Sequence, residues 1–235
     1  MPKLGEALRA IVSDKEDALE IKGRPESVLM NPTRQRIFEN ICQYPASRLR
    51  PIARRLGMNA TVVQFHLRKM KLYDYVSLFS GVEAVSYYPT DLRPAEQDLV
   101  LLSILADEVG REIIKLIVEK PGLTPAELAQ NAHHSVGATW RILAKMESRG
   151  LAAIIIDGRH SRVFPGDGLV RLERRTHQLL RGMKSRLMRR LARDKLSPVV
   201  EMDGRRESTI VLNIGGKSHK MKIPTESLMP WMTSR

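Results

Sequence analysis

Asn59, Thr61, Gln64 and Arg68 punctuate the stretch NATVVQFHLRKM (residues 59–70), and Lys69 follows directly. Amide and guanidinium groups present the paired donors and acceptors that base edges in a DNA groove require. Just upstream, Arg48, Arg50, Arg54 and Arg55 crowd a short segment. Guanidinium forks suit phosphate oxygens, the contacts that set register on a nucleic acid without reading it. A sparser set follows later, with Arg141 and Lys145, then Arg159 and Arg162 beside Asp157-Gly158. These side chains are the candidate DNA-binding residues.

Other chemistry is hard to assemble from this chain. It holds no Walker loop, no HExxH and no GxSxG. The Gly215-Gly216-Lys217 run is too slight for a phosphate loop and reads as a turn. With Cys42 alone, an internal disulfide and a multi-cysteine zinc site are excluded, and the thiol is expected in a core. His133-His134 lacks a third ligand at metal spacing, and His66 reads as a core histidine. We therefore expect no catalytic centre, no metal and no cofactor. The net charge of +13 calls instead for a polyanionic partner. Residues 31–93 carry net +6 and residues 167–197 net +7, around a middle block, 94–166, of net −1. No apolar run approaches the ~20 residues of a membrane span, and no signal peptide is evident, so a soluble cytoplasmic protein is expected.

The elements that must position these groups follow from periodicity. Val63, Leu67 and Met70 fall at i, i+4 and i+7, predicting a helix over 59–71 with the polar set on its other face. A short helix over 48–56 precedes it and ends at Gly57. Helix, tight turn and helix is the arrangement that lays a second helix in the major groove. YVSLFSGVEAVSYY (75–88) then reads as a hairpin, or wing, around Ser80-Gly81. With Glu83 and no base, this wing is not expected to touch phosphate.

The plan occurs twice. Shifted by 76 residues the chain matches itself without a gap: Ile37, Ile41, Pro45, Ala53, Leu67, Lys69 and Met70 fall on Ile113, Ile117, Pro121, Ala129, Leu143, Lys145 and Met146. This predicts domains over 27–93 and 94–166, with helices at 33–44, 48–56 and 59–71, then 109–120, 125–131 and 135–149. Thr124 and Glu127 form a capping box around Pro125, and Asp157-Gly158 signals a type I′ turn in the second hairpin. An apolar helix over 94–106 joins the copies. Trp140 falls on an exposed helix face, where an aromatic marks a protein interface.

The segments NPTRQRIFENI (31–41), IARRLG (52–57) and VVQFHLRKM (62–70) resemble the winged helix-turn-helix of ArsR- and MarR-type regulators. The two-copy layout resembles archaeal predicted transcriptional regulators with two such domains, and FHLRKM is the most specific part. The second copy departs from the pattern, with Trp140-Arg141-Ile142-Leu143 in place of Gln64-Phe65-His66-Leu67 and His133-His134 in place of the Gly57-Met58 turn. The resemblance implies a regulator of transcription, associated with the nucleoid, reading the major groove of double-stranded DNA.

Beyond the copies, residues 167–197 form a basic helix. Leu169, Leu172, Thr176, Leu180, Met183, Leu187 and Leu191 make an a/d stripe. Leu172, Leu180, Met183, Leu187 and Leu191 are expected to form the coiled-coil seam of a homodimer. Residues 198–235 read as a β-hairpin about Gly215-Gly216 and an apolar tail (228–232) that docks on the chain or on a partner. An N-terminal segment, 1–26, carries a short amphipathic helix over 4–11. The fold class is mainly α with small β-wings (α+β). The alternatives to a regulator are a winged-helix adaptor, held through Trp140 and the tail, and a sequence-independent nucleoid protein.

Overall fold

A computed structural model describes residues 28–80, 84–204 and 206–229. The helix expected over 4–11, Glu83 of the first wing and the last part of the apolar tail lie outside the described residues.

The first copy opens with α1 (Pro32–Gln43), which Asn31 caps by accepting a hydrogen bond from the Arg34 amide, with Pro32 at the first position, where its missing N–H costs nothing. It continues with β1 (Ser47–Arg48), α2 (Leu49–Leu56), α3 (Ala60–Leu72) and the hairpin β2 (Val76–Ser80) and β3 (Val85–Pro89). The sheet order is β1-β3-β2. A 3₁₀ turn (Thr90–Leu92) leads to the linking helix α4 (Glu96–Ala106).

The second copy comprises α5 (Glu108–Glu119), α6 (Pro125–Asn131), α7 (Val136–Glu147), β4 (Ala152–Asp157) and β5 (His160–Pro165). Its elements follow those of the first at an offset of 76 residues. The backbone repeats too. Gly57 (φ 63°) corresponds to His133 (φ 51°), Asp74 (φ 61°) to Gly150 (φ 67°), and Ala46 (φ 64°) to Gly122 (φ 89°). The Ser47–Tyr87 pairing of β1 with β3 recurs as the Leu123–Val163 bridge. Thr124 and Glu127 exchange the expected capping-box hydrogen bonds. The second hairpin turns one residue later than expected. Asp157 pairs with His160, so Gly158 and Arg159 form the loop. Only Gly158 has positive φ, which excludes the type I′ form that needs it at both positions.

After β5 the chain enters α8 (Gly168–Arg193), 26 residues and about 39 Å long. The helix starts under the second copy, where a Cβ on Gly166 or Gly168 would sit 2.1 or 2.6 Å from the Gly150 carbonyl oxygen. Glycine is what permits the close approach. Further along, Arg175 holds the buried Asp98 carboxylate of α4. Further still, Arg190 binds Asp91 with Nε at 2.8 Å and Nη2 at 3.3 Å, while Arg186 donates to the Asp91 and Leu92 carbonyl oxygens. Just past the helix, Asp194 accepts from the buried Tyr75 hydroxyl at 2.7 Å. Burial and this carboxylate both push the Tyr75 phenol well up, so it stays a donor. The strap thus runs back from the second copy to the first.

The stripe expected to form a dimer seam is covered within the single chain. Leu180, Met183, Leu187 and Leu191 are 0% exposed and Leu172 is 2% exposed within the single chain. They belong to the chain's own core cluster, with Ile113, Leu116, Leu99 and Tyr75. A heptad stripe specifies that a helix face must be covered; it does not say by which chain.

The C-terminal segment is a three-stranded sheet, β6 (Val199–Asp203), β7 (Glu207–Ile214) and β8 (Lys217–Pro224), rather than a lone hairpin. β7 and β8 turn at Gly215-Gly216, both with positive φ. β8 docks on α1, where Gln35 donates to the Lys220 carbonyl and the Lys222 amide donates to Glu39. Met229 of the apolar tail is buried in the chain's core, and so is Cys42. Leu187→Ala should therefore cost about 2–5 kcal/mol of folding stability. Urea unfolding at two protein concentrations checks this; a midpoint that moves with concentration would return the stripe to a subunit interface.

Candidate nucleic-acid interface

The turn between α2 and α3 rests on Gly57, whose left-handed backbone ends α2 with its amide bonded to the Arg54 carbonyl. Asn59 caps α3, its side-chain oxygen accepting from the Thr61 amide at 2.8 Å. This oxygen is therefore committed to the helix terminus, and Asn59 acts first as a cap. Val63, Leu67 and Met70 bury the inner face, as the periodicity predicts. Thr61 and Arg68 are exposed and Gln64 half-buried, so these three side chains share the outer side of one helix. They span about 10 Å along the axis.

Lys69 departs from the expectation. It lies on the buried side, its ammonium 5.7 Å from the centre of the Phe65 ring. Conversely, Val62 and Phe65 are exposed on α3. Sequence reasoning assigned neither, although an apolar residue between polar ones on an outward face is the available signal. Such groups can pack on a thymine methyl.

Two of the four upstream arginines serve the joint between the copies. Arg55 is half-buried, stacks 4.5 Å from the Tyr44 ring centre, and donates to Asn40, Ser47 and the Ala106 carbonyl. Arg111 of α5 stacks on the same ring, at 4.3 Å. Tyr44 is thus clamped between guanidiniums from both copies. Arg54 pairs with Glu108 at 3.0 Å. Burial depresses the Arg55 pKa, and the neighbouring Arg111 adds to this. Arg48 and Arg50 are exposed at the start of α2.

In the second copy, Arg141 and Lys145 are exposed on α7, and Arg141 also donates back to the Gly137 carbonyl. Arg159 is exposed in the wing loop. Arg162 is tied down, pairing with Asp157 at 2.6 Å and donating to the Gly122 carbonyl. Trp140, 41% exposed, and Val136 lie one turn apart on α7. Ile155 and Ile156 are exposed on β4, Ile156 to 81%. His133 and His134 are exposed at the turn before α7.

The order of helices, the left-handed turn and the β-hairpin behind the second helix are those of a winged helix. Residues 107–152 match the family described as winged helix-turn-helix DNA-binding. The match covers α5 to the start of β4, in the second copy rather than the first. The chain is also similar to an uncharacterized HTH-type transcriptional regulator of Methanocaldococcus jannaschii, 23% identical over 149 residues. That alignment takes in 63% of this chain and spans 37% of the relative's length. Among solved structures, a mutant of S. aureus MepR bound to an oligodeoxyribonucleotide aligns with a TM-score of 0.30 at 17% identity, over 40% of this chain and 72% of that one. ScpB from Mycobacterium tuberculosis aligns with a TM-score of 0.22 at 18% identity, over 60% and 93%.

His66 lies beside Phe65 on α3, with its Nδ1 buried and without a hydrogen-bond partner among the described residues. Burial lowers its pKa below 6.5, and Arg34 lowers it further. A histidine kept neutral by the fold gives stability that is present above about pH 6.5 and is lost as pH falls through the lowered folded value. His66→Leu should gain in thermal midpoint relative to wild type as pH drops from about 7.5 to about 5.5; an unchanged difference between the two would discard this assignment. Arg55→Ala should lower stability by about 2–3 kcal/mol through its lost charged hydrogen bonds, readable by urea unfolding, whereas Arg50→Ala should leave stability within about 0.5 kcal/mol.

Proposed function

We propose that the chain is a DNA-binding transcription regulator built from two winged helix-turn-helix copies, with α3 of the first copy as its reading helix. The observation that carries this is the outward face of α3, with Thr61, Gln64 and Arg68 exposed or half-exposed behind a left-handed turn at Gly57. Gln64 and Arg68 supply bidentate base-edge chemistry, and Val62 and Phe65 supply apolar contact. Arg48 and Arg50 hold the phosphates, with Arg54 where its exposed pair with Glu108 yields. Two copies in one chain give the duplication that single-copy winged helices obtain by pairing, so no dimer through α8 is needed. Arg141, Lys145 and Arg159 provide lesser contacts from the second copy. Such a protein works in the cytoplasm, on the nucleoid.

A second reading has its own support. Val136, Trp140, Ile155 and Ile156 put exposed apolar side chains on the second copy, within the block of net −1 charge. That chemistry suits a protein partner better than a phosphate backbone, and it makes the second copy an adaptor beside a DNA-reading first copy.

Purified chain is mixed with random genomic fragments at low and high salt, and the retained DNA is sequenced. A regulator enriches one motif that survives the salt step, whereas an adaptor or a coating protein retains fragments at low salt only. On the enriched site, Gln64→Ala with Arg68→Ala should weaken binding by about 1–3 kcal/mol per base contact and leave the fold intact. Unchanged affinity would discard α3 as the reading helix.

A further inference from the structure

Where α8 meets the end of the first copy, Asp91, Arg93, Arg186, Arg189, Arg190 and Arg193 line an open cleft of about 350 Å³. The four helical arginines fall at i, i+3, i+4 and i+7, one face of α8. Arg93 faces them from the end of the 3₁₀ turn, held in the left-handed region at φ 49°. That conformation is costly for a non-glycine residue and is kept here by the surrounding structure.

The cleft holds more positive charge than its own acid can balance. Asp91 is buried and spends both carboxylate oxygens on Arg190, whose remaining Nη1 goes to Asp74. Arg193 leans on Asp194, which also accepts from Tyr75. Arg93 and Arg189 form no ion pair among the described residues. Arg186 is fixed by two backbone carbonyls, and burial, then the nearby Arg93, lowers its pKa. Guanidiniums tethered in place and crowded by their own kind are preorganised for an oxyanion with several acceptor oxygens.

The cleft is separate from the reading face. It sits beside the base of the first hairpin, where Val76 pairs with Pro89, and four residue steps, about 13 Å, separate that pair from the Ser80–Val85 end. It also adjoins the C-terminal end of α3, through Asp74, rather than the end that Asn59 caps.

We propose that this cleft is a binding site for phosphate oxyanions carrying two or more charges, the chemistry shared by a free polyphosphate-bearing molecule and by adjacent phosphates of a nucleic-acid backbone. The inference does not depend on which helix reads DNA.

The test titrates the full chain with inorganic tripolyphosphate by calorimetry, and with a duplex of arbitrary sequence of about 20 base pairs by anisotropy. Arg93→Gln with Arg189→Gln removes two exposed cations that form no ion pair among the described residues. Arg171→Gln with Arg174→Gln removes the same charge from the far end of α8. Wild type should bind tripolyphosphate saturably at one site; the first variant should weaken this by about tenfold or more, and the second by less than about twofold. If duplex binding also falls in the first variant beyond the second, the phosphates include those of the backbone. If the two variants bind duplex alike, the ligand is a free phosphorylated molecule. Equal loss in both variants on tripolyphosphate, or no saturable binding by wild type, overturns the site. Should the first variant unfold earlier than wild type, Arg193→Gln, at a side chain 71% exposed, replaces it with the same readings.

Discussion

A leucine-rich helix face 26 residues long has to be covered, and the manner of its covering organises this chain. Each buried leucine or methionine of α8 contributes on the order of 1.5–3 kcal/mol over exposure. That gain is realised only if the helix lies along something apolar for its full length. Two small units side by side, joined by α4, supply such a surface. The helix therefore runs back from Gly168 under the second copy to Arg193 beside the first, and the C-terminal sheet comes to rest on α1. The order second copy, strap, first copy, sheet follows from burying one stripe within one chain.

Arginine is used here in three physically different ways. At the joint, Arg55 and Arg111 sandwich Tyr44, where a planar cation can stack and still donate at its edge. Along the strap, Arg175, Arg186 and Arg190 reach acids and backbone carbonyls that would otherwise be buried with fewer partners. The pair between Arg190 and Asp91 leaves both side chains under 10% exposed, so removing either partner strands a buried charge. The remaining arginines stay at the surface, as Arg48, Arg50 and Arg68 do on the first copy. A net charge of +13 is thus partly structural, and the share facing a polyanion is smaller than the total.

The repeated unit was legible from the chain because its determinants are local. Asn31 and Asp107 cap the opening helices, and Asn59 and Ser135 the third ones. Where the first copy needs a left-handed residue it uses Gly57, and the second uses His133, which no turn rule singles out. Apolar spacing likewise picked out the inner faces of α3 and α7. The candidate site was legible less evenly. Thr61, Gln64 and Arg68 face outward as their spacing requires. Lys69 is folded back toward Phe65, Arg54 is paired with Glu108 of the second copy, and Arg55 is held by Tyr44, Asn40, Ser47 and the Ala106 carbonyl. No local pattern distinguishes an arginine that waits for a phosphate from one that clamps a neighbour.

By itself, then, the amino-acid sequence determined the helix and hairpin positions, the 76-residue offset, the concentration of basic charge and the need to bury the α8 stripe. All of these are set by periodicity, caps and composition, which act within a few residues. Tertiary structure decided that the stripe closes on its own chain, that a third strand completes the C-terminal sheet, and that Arg93 meets Arg186 and Arg189 across one cleft. The third strand joins its sequence neighbour β7, but the closing of the stripe and the cleft depend on contacts between residues about a hundred positions apart, and such contacts are selected by the sum of burial over the whole chain rather than by any local preference.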